Sequence, residues 1–330
     1  MTGLPIAFIG WGYAVPDGRV TNADLEARVD TSDTWIVERT GIRERRVAGP
    51  GETTATLGTA AAANAIKRAG LAPDDIDLMI VATATPEQPL PHTGAFIGEA
   101  LGLRCGSFDL AAACAGFVYE LVVGASLLGV GYENILLVGA ETLSRITDPE
   151  DRTTLVLFGD GAGAAVISRA SGDAPSLLAW DLGCDGSAAG LLEVPAGGSR
   201  RQASAETVAE RGHYLKMQGQ PVFRKAVRAV VDSAAVTLQH ANLSIDDIAW
   251  FVPHQANLRI IEAAAQRLGI TSDRTLVNID RYGNTSSASI PIALFEAVED
   301  GRVRDGDLVL LSGFGAGMTW ASALLRWGVR

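Results

Sequence analysis

Two stretches far apart in the chain carry the same pattern, and this repetition restricts the fold more than any composition figure. Residues 71–88 read LAPDDIDLMIVATATPEQ and residues 243–258 read LSIDDIAWFVPHQANL. Each has the end of a helix, an acidic turn at Asp75 or Asp247, then a short, nearly continuous apolar run. Such runs, bounded by turn signals, describe strands buried on both faces, as in α/β proteins whose sheets are covered by helices. Downstream, NILLVGAE from Asn134 and FGDGAGAAVIS from Phe158 are echoed by DLVLLSGF from Asp307 and GAGMTWASALL from Gly315. The expectation is an α/β protein of two similar βαβ-type halves in one core, residues 1–172 and 173–330, joined near Ala170 to Leu177. Residues 183–217, with Gly, Ser, Arg and Pro, interrupt the second half and read as an insertion covering an active site.

In the first half, Ser107 to Gly131 (SFDLAAACAGFVYELVVGASLLGVG) is apolar on every helical face, with Phe117, Leu121, Val122, Ser126, Leu128 and Val130 recurring at three and four residues. That pattern predicts a helix buried all round. Glu120 in mid-segment, interrupting glycines and the lack of flanking Lys or Arg argue against a membrane span. Cys114 stands where the small residues Ala111-Ala112-Ala113 enter this helix. A helix N-terminus offers free N–H groups and a positive dipole end, which favour a thiolate nucleophile. A plain buried structural cysteine fits the same stretch.

Composition narrows the function. With 330 residues, 48% hydrophobic and 20% charged, the chain can bury a large core. A net charge of −11 without a Lys/Arg run excludes nucleic acid as the expected partner. Cys105, Cys114 and Cys184 leave one unpaired and show no metal-ligand spacing, so free thiols in a reducing cytoplasm are expected and no metal site. The start, MTGLPIAFIGWGYAVP, reads as a first strand (Ile6 to Ile9), not a signal peptide. Gly159, Gly161 and Gly163 do not make a dinucleotide loop, because β-formers follow them where a helix is required. Further expected elements are a short helix capped by Thr21 or Asn22, helices Thr53 to Ala69, Thr93 to Leu101 and Ile290 to Val298, and strands Ile76 to Thr83 and Asn134 to Gly139.

His254 follows the strand IAWFVP, and Asn284 lies in the polar loop NIDRYGNTSSAS that leads into a helix. In a two-half α/β core, equivalent strand ends face the same side, where ligands collect. The motifs in order, DTSDTWIVERTGIRERR from Asp30, DLAAACAGF around Cys114, DRTTLVLFGDGAGAAV from Asp151, VPHQANLRII around His254, NIDRYGNTSSASIP around Asn284 and the closing FGAGMTWASALLRW, resemble β-ketoacyl-acyl carrier protein synthase III, a condensing enzyme of the thiolase fold. The likeness spans essentially the whole chain. It implies a layered αβαβα core and a catalytic trio of Cys114, His254 and Asn284. It also implies an oxyanion hole from the backbone N–H groups of Cys114 and of the Gly315-Ala316 turn.

By the same resemblance, Trp35 and Arg152 sandwich the adenine of CoA, with Arg39 and Asn257 nearby. An acidic carrier protein would meet Arg224 and the segment Gln255, Ala256, Asn257, Leu258 and Arg259. Leu90 and Phe158 would shape the acyl pocket, Leu90 by reaching across a homodimer interface to close the partner's tunnel. The implied reaction is decarboxylative Claisen condensation of an acyl-CoA primer with malonyl-acyl carrier protein, with no cofactor. A priming ketosynthase or acyltransferase of polyketide or signal-molecule synthesis shares every motif. A second catalytic cysteine, which a thiolase needs near its C-terminus, is absent from SGFGAGM, and the intact trio argues against a non-catalytic acyl-binding protein. Ala316 in a glycine-rich turn, and Met318 where an aromatic is common, depart from the family pattern.

Overall fold

The computed structural model describes residues 3–170, 172 and 176–328, and in them each half is built on its own sheet. The first sheet holds β1 (Ile6–Ala14), β2 (Leu78–Ala82), β3 (Gly106–Leu110), β4 (Asn134–Thr142) and β5 (Asp160–Arg169), in the order β1-β5-β4-β2-β3. The second holds β6 (Leu177–Cys184), β7 (Trp250–Pro253), β8 (Leu308–Gly315) and β9 (Thr319–Arg326), in the order β7-β8-β9-β6. β2 runs parallel to β4, which is antiparallel to β5, itself antiparallel to β1. β7, β8, β9 and β6 repeat those directions. The parallel edge strand β3 has only a trace of a counterpart, a single bridge between Phe251 and Thr275. Of the expected junction, Ser171 and residues 173–175 lie outside the described residues.

Seven helices matter for the site: α1 (Asp33–Thr40), α2 (Thr54–Ala69), α3 (Thr93–Leu101), α4 (Gly116–Leu128), α5 (Gly219–Ala241), α6 (Leu258–Leu268) and α7 (Ser289–Glu299). α2 and α3 cover the outer face of the first sheet, α5 and α6 that of the second, and α4 and α7 lie between the sheets. The layers therefore run α-β-α-β-α. The central position of α4 explains its lack of a polar face. Phe117, Val118, Leu121, Val122 and Ala125 are buried against strands of both sheets, and each large side chain contributes about 1.5–3 kcal/mol by leaving water. α2 matches its expected bounds, with Thr53 as N-cap and Gly70, at φ 70°, as the left-handed stop.

Three expectations change. The helix entered from the Ala111-Ala112-Ala113 turn starts later than expected: Ser107 to Leu110 belong to β3, Cys114 sits on a 3-10 turn (Ala113–Ala115), and α4 begins at Gly116. β1 and β4 run several residues past their expected ends, while β2 is shorter than expected. The insertion carries elements of its own: a 3-10 segment (Gly186–Leu191), a strand pair (Leu192–Glu193 with Lys216–Met217) and a short helix (Ala205–Ala209). Arg211 ties it to the first half, its Nε donating to Asp148 at 2.9 Å. Gly161 and Gly163 lie in β5, where a Cβ on Gly163 would come within 2.7 Å of Pro291 and one on Gly161 within 3.1 Å of Ile292, so these two serve close packing on α7; Gly159, just before the strand, packs against the Tyr282 carbonyl.

Candidate active site

Cys114 is buried at the point where the chain leaves β3 and turns into α4. The preceding Ala113 takes φ 46°, a left-handed conformation uncommon for a residue with a Cβ, and this kink sets the sulfur off the strand line. Gly315, at the end of β8, packs against the same turn: a Cβ there would lie 2.6 Å from the Cys114 N. Thr319 Oγ1 donates to the Ala112 carbonyl at 2.9 Å and binds the Ala316–Met318 turn to the nucleophile turn. The expected thiolate is not the resting state. Burial pushes the thiol up to about 12, and the Glu141 carboxyl adds to the rise; a Ser286 hydroxyl hydrogen pulls the other way only when it is given to the sulfur rather than to Glu141. One short turn with its N–H groups does not offset the loss of water around an anion.

His254 sits just past β7, its backbone N–H donating to the Ser312 carbonyl at 2.8 Å. Its Nδ1 lies 2.7 Å from Ser289 Oγ, at the first residue of α7, and the ring packs edge-on against Phe314. Complete burial pulls its pKa down to about 3, so it is a neutral imidazole at physiological pH. Ser289 Oγ also accepts the Gln255 N–H at 3.2 Å. With the Ser289 hydrogen directed at Nδ1, the ring hydrogen is on Nε2; with Nδ1–H donating instead, Nε2 carries a lone pair. Nε2 has no partner among the described residues.

Asn284 is held by backbone bonds to the segment before β5: its N–H donates to Leu157 at 2.8 Å and its carbonyl accepts from Gly159 at 3.0 Å. The Asn284 Oδ1 accepts the Ser286 N–H at 2.9 Å. That bond fixes which end of the amide points where, leaving Nδ2 as an uncommitted donor among the described residues. The site thus offers a thiol and two neutral donors. Among the described residues, no group of three or more His, Cys, Asp or Glu is placed to hold a metal.

Two buried carboxyls were not assigned from the sequence. Glu120, on α4, accepts the Ala82 N–H at 3.0 Å through Oε2, while its Oε1 has no partner among the described residues. Burial raises its pKa well above the carboxylate range. Glu141, near the end of β4, is instead surrounded by donors from the loop after β2 and the turn after Asn284. A charged residue closing the apolar run NILLVGAE was the available signal.

A cavity of about 520 Å³ is lined by Arg39, Gly219, Gln220, Phe223, Arg224, Asn257 and Arg259, so four of the residues expected at the CoA and carrier-protein mouth meet around it. Arg39, Arg224 and Arg259 form no ion pair among the described residues. Arg152 and Arg39 lie 5.5 and 5.8 Å from the Trp35 ring centre, and Arg152 Nη1 also donates to the Asp30 carbonyl at 2.7 Å. Asn257 is committed to structure, capping α6 through Arg259 N and donating to the Arg39 carbonyl. Two expectations fail on burial. Gln255, 1% exposed, spends its amide on the carbonyls of Pro253 and Leu276 and on the Asn278 N–H. Ala256 is buried beside it, so neither presents a side chain to a carrier protein. Leu258 packs under Gly41. Phe158 bridges Asn284 through its backbone and is buried, whereas Leu90 is 83% exposed on the loop between β2 and α3.

A buried cysteine and two neutral polar side chains thus meet where the two like halves join. Family models described as 3-Oxoacyl-[acyl-carrier-protein (ACP)] synthase III match residues 108–186, and the C-terminal model of the same enzyme matches residues 238–327. β-Ketoacyl-[acyl-carrier-protein] synthase III of Roseiflexus castenholzii is 51% identical over 97% of this chain and 98% of its own; that of Symbiobacterium thermophilum is 49% identical over 98% of each. The crystal structure of 3-oxoacyl-[acyl-carrier-protein] synthase III from Aquifex aeolicus superposes with a TM-score of 0.90 at 42% identity, covering 98% of this chain and 100% of that one. The priming β-ketosynthase of the R1128 polyketide pathway superposes with a TM-score of 0.91 at 37% identity, over 99% and 98%. The chain belongs to the β-ketoacyl-[acyl-carrier-protein] synthase III family and is an acyltransferase of the condensing class.

Proposed function

We propose that the protein starts type II fatty acid synthesis by joining an acyl-CoA primer to malonyl-acyl carrier protein, and that Cys114, His254 and Asn284 carry the chemistry. The observation that supports this most directly is the pair of uncommitted neutral donors, His254 Nε2–H and Asn284 Nδ2–H, beside a buried thiol. Loss of CO2 from a malonyl thioester leaves a carbanion, so no base has to remove a carbon-bound proton. What must be stabilised is the negative charge on the thioester oxygen, and each such donor is worth roughly 2.7–4 kcal/mol. A cation aimed at the malonyl carboxylate would stabilise the ground state and slow its departure.

In the first step the Cys114 sulfur attacks the primer carbonyl while its proton passes to the departing CoA sulfur. His254 takes part in that relay in its other tautomer, with Nδ1–H donating to Ser289 and a lone pair on Nε2; the Nε2–H tautomer, with the Ser289 hydroxyl donating to Nδ1, is the one that serves the second step. The oxyanion sits over the N–H groups of Cys114 and of the Gly315-Ala316 turn. In the second step His254 and Asn284 hold the malonyl thioester oxygen, CO2 leaves, and the enolate carbon attacks the acyl-Cys114 carbonyl. The carbon–sulfur bond breaks, freeing the 3-oxoacyl-carrier protein and the Cys114 thiolate, which takes up a proton from water to restore the thiol. No cofactor enters this scheme.

Arg39, Arg224 and Arg259 fit the phosphates of CoA and an acidic carrier protein, an attraction that a chain of net charge −11 has to concentrate locally. The free edge of β3, with Phe108 and Leu90 exposed, fits a homodimer in which Leu90 reaches the partner's acyl tunnel. No helix among the described residues is long and apolar enough to cross a membrane, and we place the reaction in the cytoplasm. Feeding a panel of acyl-CoA primers with malonyl-acyl carrier protein, while following CO2 and product mass, tests the reading. One acyl adduct per chain is expected, lost in Cys114→Ala, whereas Asn284→Ala keeps the adduct and loses decarboxylation by about a hundredfold or more. An adduct that persists in Cys114→Ala overturns the assignment. Activity only with primers and acceptors foreign to fatty acid synthesis would favour the polyketide-priming reading.

A further inference from the structure

Beside the catalytic turn lies a second turn of the same shape. Residues Ala113–Ala115 and Ser286–Ala288 are both 3-10 turns, each opens on a left-handed residue (Ala113 at φ 46°, Ser286 at φ 49°), and each feeds a helix buried between the sheets. On this match Ser287 stands where Cys114 stands. The neighbouring strands agree. A Cβ on Gly313 of β8 would sit 3.2 Å from the Cys114 carbonyl, and one on Gly139 of β4 would sit 2.7 Å from the Ser287 carbonyl. Two residues further along each strand come Gly315, over the Cys114 N–H, and Glu141, whose Oε1 is 3.5 Å from the Ser287 N.

We propose that Glu141 is a positioning residue of the condensing reaction: its carboxylate fills the second turn's counterpart of the oxyanion hole and thereby fixes the Ser286–Ser287 turn that aims Asn284. This rests on the reaction proposed above. The carboxylate accepts from the hydroxyls of Ser286 (2.8 Å), Ser287 (2.9 Å), Thr85 (2.7 Å) and Thr83 (3.3 Å). It also accepts from the backbone N–H groups of Ala84 (3.0 Å) and Thr85 (3.1 Å). Ser286 in turn presents its N–H to Asn284 Oδ1, so the carboxylate is one bond removed from a reacting group. The grip is needed because a serine at φ 49° is strained and relaxes unless its surroundings hold it.

A second consequence concerns the sulfur. Ser286 faces both Glu141 and Cys114, yet it has one hydroxyl hydrogen. Burial raises the Glu141 pKa, while the donors from Thr85, Ser286, Ala84 and Ser287 favour its charged form, and as an anion it takes that hydrogen in preference to a thiol. Only a lone pair is then left for Cys114, which keeps the nucleophile protonated until substrate arrives. The titratable groups around the sulfur are Glu141 from β4 and the neutral His254 beyond β7; Glu120 on α4 turns toward Ala82 instead.

The test combines the pH profile of Cys114 alkylation by iodoacetamide, read by mass, with acyl loading and malonyl decarboxylation, all on the intact protein. In Glu141→Gln the like charge is gone and Ser286 is released toward sulfur, so the alkylation midpoint falls by about one pH unit. Decarboxylation falls by about a hundredfold, because Asn284 loses its aim, while loading falls less. A purely structural glutamate would lower both rates together and leave the midpoint in place; that result in a folded variant overturns the proposal. Ser286→Ala keeps the charge and most of the donors, and covers the case in which Glu141→Gln does not fold. It should lose decarboxylation by about tenfold without raising the midpoint. A raised midpoint would mean that Ser286 donates to sulfur in the native protein, which also overturns the proposal. The alkylation arm needs no substrate, so its outcome stands apart from any failure of the wild-type protein to decarboxylate malonyl-acyl carrier protein.

Discussion

The two halves share strands, directions and turns but divide the chemistry between them. Matching β2 with β7 and β4 with β8 sets Ala82 against His254, Gly116 against Ser289, Glu141 against Gly315 and Cys114 against Ser287. The contacts match as well as the positions. A Cβ on Gly116 would meet the Ala82 Cβ at 2.8 Å, and in the other half Ser289 Oγ meets His254 Nδ1 at 2.7 Å. At each pair one half packs and the other serves the proposed reaction. The fold thus builds one cradle twice: the sequence fills one copy with a carboxylate and leaves the other open, where the proposed reaction puts a substrate oxygen.

Closing the open copy is the most damaging change this comparison predicts. Gly315→Ala places a methyl 2.6 Å from the Cys114 N, in the space assigned to the oxyanion. Acyl loading from acetyl-CoA, timed by intact mass, should slow by at least about a hundredfold, the value of one or more lost oxyanion donors. Loading at the wild-type rate would show that the reacting oxygen sits elsewhere, and the match between Gly315 and Glu141 would lose its meaning.

A smaller difference separates Ala82, which cannot titrate, from His254, which can. The imidazole's folded pKa is depressed to about 3 by burial, against about 6.5 when unfolded. A depressed folded value means that the unfolded chain binds the proton first as pH falls. Stability present above about pH 6.5 is therefore lost toward pH 3, at up to about 1.4 kcal/mol per pH unit from this group. The stability gap between the wild type and His254→Asn, measured in urea, should shift by about 2 kcal/mol in favour of the variant between pH 7 and pH 5. A constant gap would mean that His254 is not held neutral.

What the sequence disclosed, and what it hid, follows the same division. The repeat around Asp75 and Asp247 and the helix bounds at Thr53 and Gly70 were legible, because periodicity and caps are local signals, and the motifs singled out Cys114, His254 and Asn284 as the residues to propose. The protonated state of Cys114 was not legible. The helix-terminus argument is local, whereas desolvation and the nearby Glu141 come from the packing of strands distant in sequence. Gln255 misled for a related reason: it sits in a polar run, but its amide replaces missing strand partners at Leu276 and Asn278, where the second sheet has only a bridge instead of β3. Glu141 announced itself as a charge in an apolar run, and only the second turn gave it a purpose.

The loops after β2 and β7 complete the comparison, with the smallest expected effect. After β7 the chain turns inward and buries Gln255; after β2, Glu141 pins Thr83 to Thr85 and the loop then carries Leu90 out, 83% exposed. In the proposed homodimer this exposed leucine, on a loop held at its base, is the side chain that closes the partner's acyl tunnel. Leucine is smaller and more adaptable than an aromatic residue, so primers somewhat longer than acetyl, branched ones included, should be accepted. Each further buried methylene is worth about 0.8 kcal/mol at most, roughly fourfold, so neighbouring lengths should grade into one another. Leu90→Trp should therefore reduce kcat/KM for longer primers stepwise while sparing acetyl-CoA. If every primer falls together, the loop is structural; if the profile does not move, the tunnel ends elsewhere, and the outward loop of the first half has no part in substrate choice.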